Sequence, residues 1–247
     1  MRQRLDQLLV VKGLAATRSR ARDLIARQAV HVDGQTAVKP AQMVLETAVI
    51  EVNVQANAHV ARSAQKLIDA LDAFGFDCGG RCALDLGAST GGFTEVLLQR
   101  GATLVHAVDV GRDQLHASLK ADPRVIDHSG RDARMLNTAE IPDPITAMVV
   151  DVSFISLRKL LPVPLALVQR GCWLVALVKP QFEQDSKDRI SKAGLVKDPD
   201  GGLTALREVE TWLAAQPGWR IVATRATSLP GKSGNQEYLI GAVRDDS

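Results

Sequence analysis

The sequence predicts an α/β protein with a doubly wound, mostly parallel sheet, preceded by a small α+β domain. Three observations support this prediction. Short apolar strands alternate with helical segments from residue 63 onward, which is typical of a parallel sheet with helical crossovers. A glycine-rich loop follows the first of these strands. The first 60 residues differ from the rest in hydrophobic pattern and in charge.

The composition is that of a globular protein. The chain has 247 residues, 46% hydrophobic and 23% charged, enough for an ordinary domain with a small one attached. We expect residues 1–60 to form a small domain with its linker and residues 61–247 to form the α/β domain. Three cysteines and five histidines without metal-ligand spacing indicate neither a disulfide framework nor a metal site. Because no signal peptide or long apolar segment is recognisable, we expect a cytoplasmic protein without a membrane partner.

Basic side chains are concentrated at the N-terminus. The net charge of the whole chain is +2, but residues 1–60 carry +3 and residues 61–247 carry −1. A basic module on a nearly neutral body is typical of polyanion binding, and an ordinary solvated helix face is the alternative. The first aromatic residue is Phe74. A nucleic acid bound by this module would therefore be contacted through its phosphates and shape rather than by ring stacking.

The N-terminal module is predicted to contain two short helices and a hairpin. Apolar residues at helical spacing indicate helices over residues 3–11 and 17–28. The segment VHVDG at 30–34 indicates a strand that ends in an Asp-Gly turn. Residues 49–54 form a further strand, and residues 55–60 are small and polar, as in a linker. The apolar face of the second helix is expected to be Ala21, Leu24 and Ile25, which leaves Arg18, Arg20 and Arg22 on more exposed faces.

The α/β domain begins with an amphipathic helix over residues 63–74. The predicted central strands are CALDL, TLVHAVD, ITAMVVD and CWLVALVKP, which start at residues 82, 103, 145 and 172. Between them, GFTEVLLQRG and SLRKLLPVPLALVQR have helical patterns. Two last strands, WRIVATRA and EYLIGAV, flank a polar loop.

The glycine loop after the first central strand has the features of a nucleoside-binding site. Its glycines allow the backbone to approach a ligand closely, and the N-terminus of the next helix favours negative groups. Asp109 ends the second strand 22 residues after Gly87, where a carboxylate can accept both hydroxyls of a ribose. The spacing G-x-x-x-G-G differs from the dinucleotide pattern and from the P-loop.

S-adenosylmethionine is therefore the ligand that this loop favours, followed by an NAD-type ligand, with a purely structural turn as the other alternative. Asp132 lies in the segment GRDAR, after a further strand expected between those that start at residues 103 and 145, and could reach the amino group of an adenine. The residues expected to bind the cofactor are Asp85, Gly87, Ala88, Ser89, Thr90, Gly91, Gly92, Phe93, Asp109, Asp132 and Asp151.

Four segments carry a resemblance to a known family: DLGASTGGFT (85–94), AVDVG (107–111), DVSFISL (151–157) and KPQFE (179–183). Together they resemble the TlyA (hemolysin A) family of ribosomal RNA ribose methyltransferases, whose catalytic domain is a Rossmann-like methyltransferase similar to the FtsJ type. Residues 4–34 resemble the alpha-L RNA-binding module. The resemblance implies S-adenosylmethionine as cofactor, ribosomal RNA or ribosomal subunits as partners, and a cytidine ribose as the methylated group.

The resemblance also implies a catalytic Lys-Asp-Lys-Glu set, which matches Lys66, Asp151, Lys179 and Glu237. The family usually has a Gly-Gly pair shortly before the first lysine, whereas this chain has Arg62-Ser63-Ala64-Gln65. A ribose 2′-hydroxyl is a poor nucleophile, so the enzyme must align it with the methyl donor and help to remove its proton. A lysine can do this if burial and a second cation lower its pKa from the ordinary value near 10.4. We expect Lys179 to be the base or hydroxyl-steering group and the two carboxylates to orient the amines.

The candidate RNA-binding residues are Arg4, Arg18, Arg20, Arg22 and Arg27. Two other functions stay open. The protein could be a non-enzymatic RNA-binding or ribosome-assembly factor with a vestigial fold, or a membrane-lysing protein, as the older family name suggests. No long amphipathic or apolar segment supports lysis. The sequence leaves open the target nucleotide, whether one or both ribosomal subunits are modified, and the oligomeric state.

Overall fold

Two units make up the chain, Met1–Arg62 and Ser63–Ser247. The computed structural model describes residues 2–15, 17–26, 28–52, 61, 63–184, 190–191, 193–228, 231 and 234–245, with the backbone alone at Ser19, Arg20 and Asp23. The predicted linker at 55–60 lies outside the described residues.

The first unit contains both helices and both strands that the sequence predicts, and three additional short strands. Its elements are α1 (Leu5–Val11), α2 (Arg18–Ala26), β1 (Arg2–Arg4), β2 (Val30–Val32), β3 (Gln35–Thr36), β4 (Met43–Leu45) and β5 (Ile50–Val52). β2 pairs antiparallel with β3 and β5, and β1 pairs antiparallel with β4. β1 was predicted as the start of a helix. Three residues are too few to show a strand period, so the pairing with a distant segment decides its conformation.

The core of the first unit forms where α1 and α2 pack together. The predicted inner face of α2, Ala21, Leu24 and Ile25, is completely buried, as are Leu5 and Leu9 of α1. The predicted turn is also confirmed, because Asp33 and Gly34 both have positive φ angles, 50° and 79°. Two successive positive φ values are those of a type I′ hairpin turn, which joins β2 to β3.

A seven-stranded sheet forms the centre of the second unit. Its strands are β6 (Cys82–Leu86), β7 (Leu104–Asp109), β8 (Val125–Ser129), β9 (Ile145–Val150), β10 (Val168–Val178), β11 (Trp219–Ala226) and β12 (Tyr238–Arg244). The strand order is β11-β12-β10-β9-β6-β7-β8. The five strands from β10 to β8 are parallel, and β12 is antiparallel to both of its neighbours. The predicted mostly parallel sheet is confirmed.

Seven helices are described in this unit. They are α3 (Ala64–Phe74), α4 (Gly92–Gln99), α5 (Ala117–Lys120), α6 (Leu157–Leu160), α7 (Pro162–Leu167), α8 (Pro180–Glu183) and α9 (Gly201–Ala214). None of the helices in the described part of the chain is long and apolar enough to cross a membrane. Leu84, Met148, Leu174 and Ile240, one from each of four strands, are completely buried in the core.

Two parts of the second unit differ from the prediction. The segment predicted as one helix from residue 156 instead forms two short helices, α6 and α7. β10 starts at Val168 rather than at Cys172. Pro162 begins α7, and because proline has no N–H to donate it ends one helix and begins the next. α9 was not predicted, although its buried residues Ala205, Val209 and Leu213 have a helical spacing.

A buried polar cluster joins β7 to the edge strand β8. The His106 side chain is completely buried; its Nε2 lies 3.0 Å from an Asp143 oxygen and its Nδ1 lies 3.0 Å from His128 Nε2. A carboxylate only accepts hydrogen bonds, so a neutral His106 donates from Nε2 and accepts from His128 at Nδ1. Burial lowers the pKa of His106, against the opposing effect of Asp143.

This cluster predicts a pH dependence of stability. A histidine whose pKa is lowered in the folded state binds fewer protons there than in the unfolded chain, so its contribution to stability falls as the pH drops below about 6.5. We expect the loss of unfolding free energy between about pH 7 and pH 5 to be smaller in His106→Gln than in the wild type. Denaturant titrations across this range measure the unfolding free energy of both proteins as a function of pH. An equal loss in the two proteins would show that His106 is not the source of the pH dependence.

Candidate active site

The predicted catalytic residues follow strands that end at one edge of the sheet. Asp151 follows β9 and Lys179 follows β10, and these strands are parallel. β12 runs antiparallel to β10 with Val178 opposite Tyr238. One step further along the same register, Lys179 lies opposite Glu237. The sheet therefore brings together three of the four predicted catalytic positions, at the carboxyl edge where α/β proteins bind ligands.

The four predicted catalytic side chains form two ion pairs. Lys179 Nζ lies 2.6 Å from Asp151 Oδ1 and donates a hydrogen bond to Ser153 Oγ at 3.0 Å. Lys66, in the first turn of α3, pairs with Glu237 Oε2. All four charged groups are mostly buried. Each lysine is therefore paired with a carboxylate, and Lys66 occupies this place without the Gly-Gly pair that usually precedes it.

The glycine loop lies directly against Asp151. Gly87 has a φ angle of 84°, and a Cβ atom there would lie 2.5 Å from the carbonyl oxygen of Asp151. Asp151 N–H donates to the carbonyl of Leu86, and Gly87 N–H donates to that of Val108. Only glycine combines this backbone conformation with this approach. The loop, β7 and the strand end that carries Asp151 are consequently fixed to one another by their backbones.

Asp109 is oriented by the backbone of two loops. Its two carboxylate oxygens accept hydrogen bonds from the N–H groups of Ser89, at 2.8 Å, and of Gly111, at 2.7 Å. Ser89 has a positive φ of 48° and also donates from its hydroxyl to Gln114. Asp109 thus ends β7 in a fixed orientation beside the glycine loop, and carboxylate oxygens retain further lone pairs for a ligand.

Asp85 is a buried carboxylate with one unsatisfied oxygen. Thr94 Oγ1 donates to Oδ2 at 2.6 Å, while Oδ1 has no hydrogen-bond partner among the described residues. Burial raises the pKa of Asp85 to about 7. An unsatisfied buried oxygen at a ligand-binding edge is suited to a cationic or hydrogen-bond-donating group.

The other predicted cofactor residues have varied surroundings. Ala88 and Phe93 are buried, Gly91 precedes α4 with a φ of 96°, and Thr90 is exposed. Asp132 accepts from the N–H of Arg134 and forms an ion pair with its guanidinium at 2.6 Å. The hydrogen bond from Arg134 lowers the pKa of Asp132. Its contact with an adenine stays a prediction.

One residue that the sequence analysis missed is Phe154. Its side chain is 91% exposed, and its φ angle is 68°, which is rare for a bulky residue. The ring packs at 5.1 Å, centroid to centroid, on Phe182 of α8. Phe154 lies three residues after Asp151 in DVSFISL, and that position was the available signal. Phe154 directly follows Ser153, which Lys179 contacts, and an exposed ring in a strained conformation at this point is a candidate for ligand contact.

Glu183 fastens the loop that carries Phe154. Its carboxylate is buried and accepts from Ser156 Oγ at 2.5 Å and from the N–H of Leu157 at 2.7 Å. Burial raises the pKa of Glu183. The two segments DVSFISL and KPQFE are therefore joined by Lys179 to Asp151, by Phe182 to Phe154 and by Glu183 to Ser156.

In the N-terminal unit, three of the five predicted RNA-binding arginines form one cluster. Arg4, Arg18 and Arg22 all contact the carboxylate of Asp6. The Arg20 side chain and Arg27 lie outside the described residues. Within the described ranges, no group of His, Cys, Asp and Glu side chains could bind a metal ion.

Comparisons with known proteins identify the family. Residues 59–244 match the FtsJ-like methyltransferases, and residues 3–50 match the S4 domain. A relative from Mycobacterium tuberculosis, the 16S/23S rRNA (cytidine-2′-O)-methyltransferase TlyA, is 44% identical over 240 residues, 97% of this chain and 89% of that protein. The chain belongs to the TlyA family. The resemblance found in the sequence is therefore confirmed.

Two further relatives have hemolysin names. Hemolysin A of Brachyspira hyodysenteriae is 36% identical over 237 residues, 96% of this chain and 98% of that protein. A solved structure from Streptococcus thermophilus, also described as a hemolysin, is 32% identical and has a TM-score of 0.77, with 100% of this chain and 90% of that chain covered. The alignments span nearly the whole chain, so they include both units.

The buried Asp85 predicts a pH-dependent stability difference. Its folded pKa of about 7 lies above the ordinary value of 3.8, so the stability that it contributes is present below about pH 4 and is lost as the pH rises through 7. Asp85→Asn keeps an acceptor for Thr94 without the charge. We expect the stability of the variant relative to the wild type to increase from about pH 4 to pH 7 and then to level off. Thermal melts of the ligand-free proteins across this range test it, and a difference that does not change with pH would contradict it.

Proposed function

We propose that this protein transfers a methyl group from S-adenosylmethionine to the 2′-hydroxyl of a cytidine ribose in ribosomal RNA, in the cytoplasm. The paired set of Lys66, Glu237, Lys179 and Asp151 at the carboxyl edge of the sheet is the observation that carries the proposal. The name of the Mycobacterium tuberculosis relative supports the substrate. A non-enzymatic RNA-binding role would not require these four charges to be buried in matched pairs.

The residues around the glycine loop fit this cofactor. Asp109 would accept the ribose hydroxyls, since its carboxylate is already oriented by Ser89 and Gly111. The unsatisfied Oδ1 of Asp85 would complete its hydrogen bonding with the amino group of the methionine part, directly or through water. A nearby cation would favour the ionised form of Asp85. When bound, S-adenosylmethionine supplies a methyl group on a positively charged sulfur, which is a good electrophile.

The two lysine–carboxylate pairs would bind and orient the acceptor 2′-hydroxyl. Lys179 forms an ion pair with Asp151 and donates one N–H to Ser153, and an ammonium group has three donors. A remaining N–H can donate to the 2′-oxygen, which orients the hydroxyl and stabilises the negative charge that develops as its proton passes to solvent water. Lys66, paired with Glu237, adds positive charge that favours the developing alkoxide.

Lys179→Ala tests the catalytic assignment. We expect methyl transfer to ribosomal subunits to fall by roughly a hundredfold or more, because the orientation of the hydroxyl and the stabilisation of its developing charge are both lost. S-adenosylmethionine affinity, measured by calorimetry, should change little. Lys159→Ala, an exposed lysine on α6, is the matched control and should retain activity. Near-normal turnover in Lys179→Ala would remove this residue from the reaction.

The exposed ring of Phe154 provides a surface on which a nucleobase can stack beside Lys179. Stacking of a base on an aromatic side chain contributes about 1–3 kcal/mol, so Phe154→Ala should lower kcat/KM for RNA by roughly five- to a hundredfold. Cofactor affinity should not change. Phe154→Tyr keeps the ring and should keep most of the activity. An alanine variant as active as the tyrosine variant would show that the ring does not contact RNA.

A further inference from the structure

A single buried carboxylate organises the basic face of the N-terminal unit. Asp6 lies in the first turn of α1 and its side chain is completely buried. Arg4 donates to both of its oxygens, from Nε at 3.0 Å and Nη2 at 3.1 Å. Arg18 Nη2 and Arg22 Nε donate to Oδ2 at 3.1 and 3.2 Å. We call these three arginines and Asp6 the arginine cluster.

The arginine cluster contains more positive charge than Asp6 needs. One arginine would neutralise the buried carboxylate, yet three converge on it, so the four side chains together carry +2. The hydrogen bond from Arg4, with those from Arg18 and Arg22, keeps the pKa of Asp6 well below its usual range, and this charge therefore persists at any working pH. The arginine side chains remain 38%, 49% and 57% exposed. Their guanidinium groups are thus anchored on one side and open to solvent on the other.

Without Asp6 this arrangement would be unfavourable. Arg18 and Arg22 are one turn apart on α2, where like charges repel, and Arg4 comes from the strand before α1. The common carboxylate holds the three guanidiniums on one face and limits their rotamers before any ligand arrives. A binding surface that is ordered in advance loses less conformational entropy when it binds, and a guanidinium matches the geometry of a phosphate.

We infer that Asp6 is a positioning residue that presents Arg4, Arg18 and Arg22 to the RNA backbone as one preorganised phosphate-binding surface. The inference rests on the proposed function, which supplies the RNA. Asp6 contacts no phosphate itself and acts only through the arginines. If Asp6 served only to neutralise charge or to staple the helices, its removal would leave the arginines more positive and free to bind RNA.

Asp6→Asn adds one positive charge to the unit. The positioning role predicts weaker RNA binding by this variant, whereas simple charge neutralisation by Asp6 predicts tighter binding. We expect the full-length variant to bind ribosomal RNA about tenfold more weakly at low salt and to show a shallower salt dependence, by about one to two units of the log–log slope, because phosphate contacts are lost. Glu51→Gln is the control, since it removes one exposed negative charge from β5 of the same unit. It should bind as well as the wild type or slightly better. Tighter binding by Asp6→Asn with an unchanged or steeper slope would overturn the inference.

A second variant tests the inference if Asp6→Asn does not fold. Arg22→Lys keeps the charge of a half-exposed side chain but loses the Nε bond to Asp6. We expect its RNA affinity to fall several-fold, whereas Arg2→Lys, an exposed arginine outside the cluster, should bind like the wild type. Equal affinity of Arg22→Lys and wild type would overturn the role of positioning.

Melting curves and S-adenosylmethionine affinity of each variant report whether the protein is intact. Failure of the wild-type protein itself to bind or methylate ribosomal RNA would overturn the proposed function, and this inference with it. Binding by the wild type with no loss in either variant would overturn the inference alone.

Discussion

The site depends on the close approach between Gly87 and Asp151. A Cβ atom at residue 87 would lie 2.5 Å from the Asp151 carbonyl oxygen. Directly beside this contact, the N–H of Asp151 donates a hydrogen bond to the carbonyl of Leu86 in β6. The glycine loop and Asp151 are therefore held in place by the same backbone contacts. Because β10 lies next to β9 and β12 next to β10, the positions of Lys179 and Glu237 follow from the sheet. A change in strand order would separate the glycine loop and Asp151 from Lys179 and Glu237.

A second set of contacts holds the loop that follows β9. α8 follows β10 at once, and its Phe182 and Glu183 contact the loop after β9. The loop is thereby held in a conformation that includes the positive φ of Phe154. Strain of this kind persists only where surrounding contacts impose it. We interpret the buried Glu183 as the residue that stabilises this loop, and the exposed ring of Phe154 as the feature that the loop presents.

Local patterns in the sequence predicted most strands, because apolar runs are local features, whereas the resemblance to the family supplied the four catalytic matches. Contacts between distant segments were not predictable in the same way. The opposition of Lys179 and Glu237 depends on the register of two strands, and Asp6 meets Arg18 and Arg22 across 12 and 16 residues. The arginines were expected on exposed faces, and only the structure shows that a buried carboxylate gathers them. α9 was recognisable from Ala205, Val209 and Leu213, whereas the break at Pro162 was signalled by the proline itself.

We propose methyl transfer to a ribose hydroxyl at the paired lysines. Its most direct test is nucleoside analysis of ribosomal RNA incubated with the protein and S-adenosylmethionine, together with mapping of alkali-resistant linkages, since a methylated 2′-oxygen cannot attack the adjacent phosphate. We expect new 2′-O-methylcytidine at a defined position with the wild-type protein. Methylation of a base, or the absence of any new ribose methylation with intact ribosomal subunits as substrate, would contradict it.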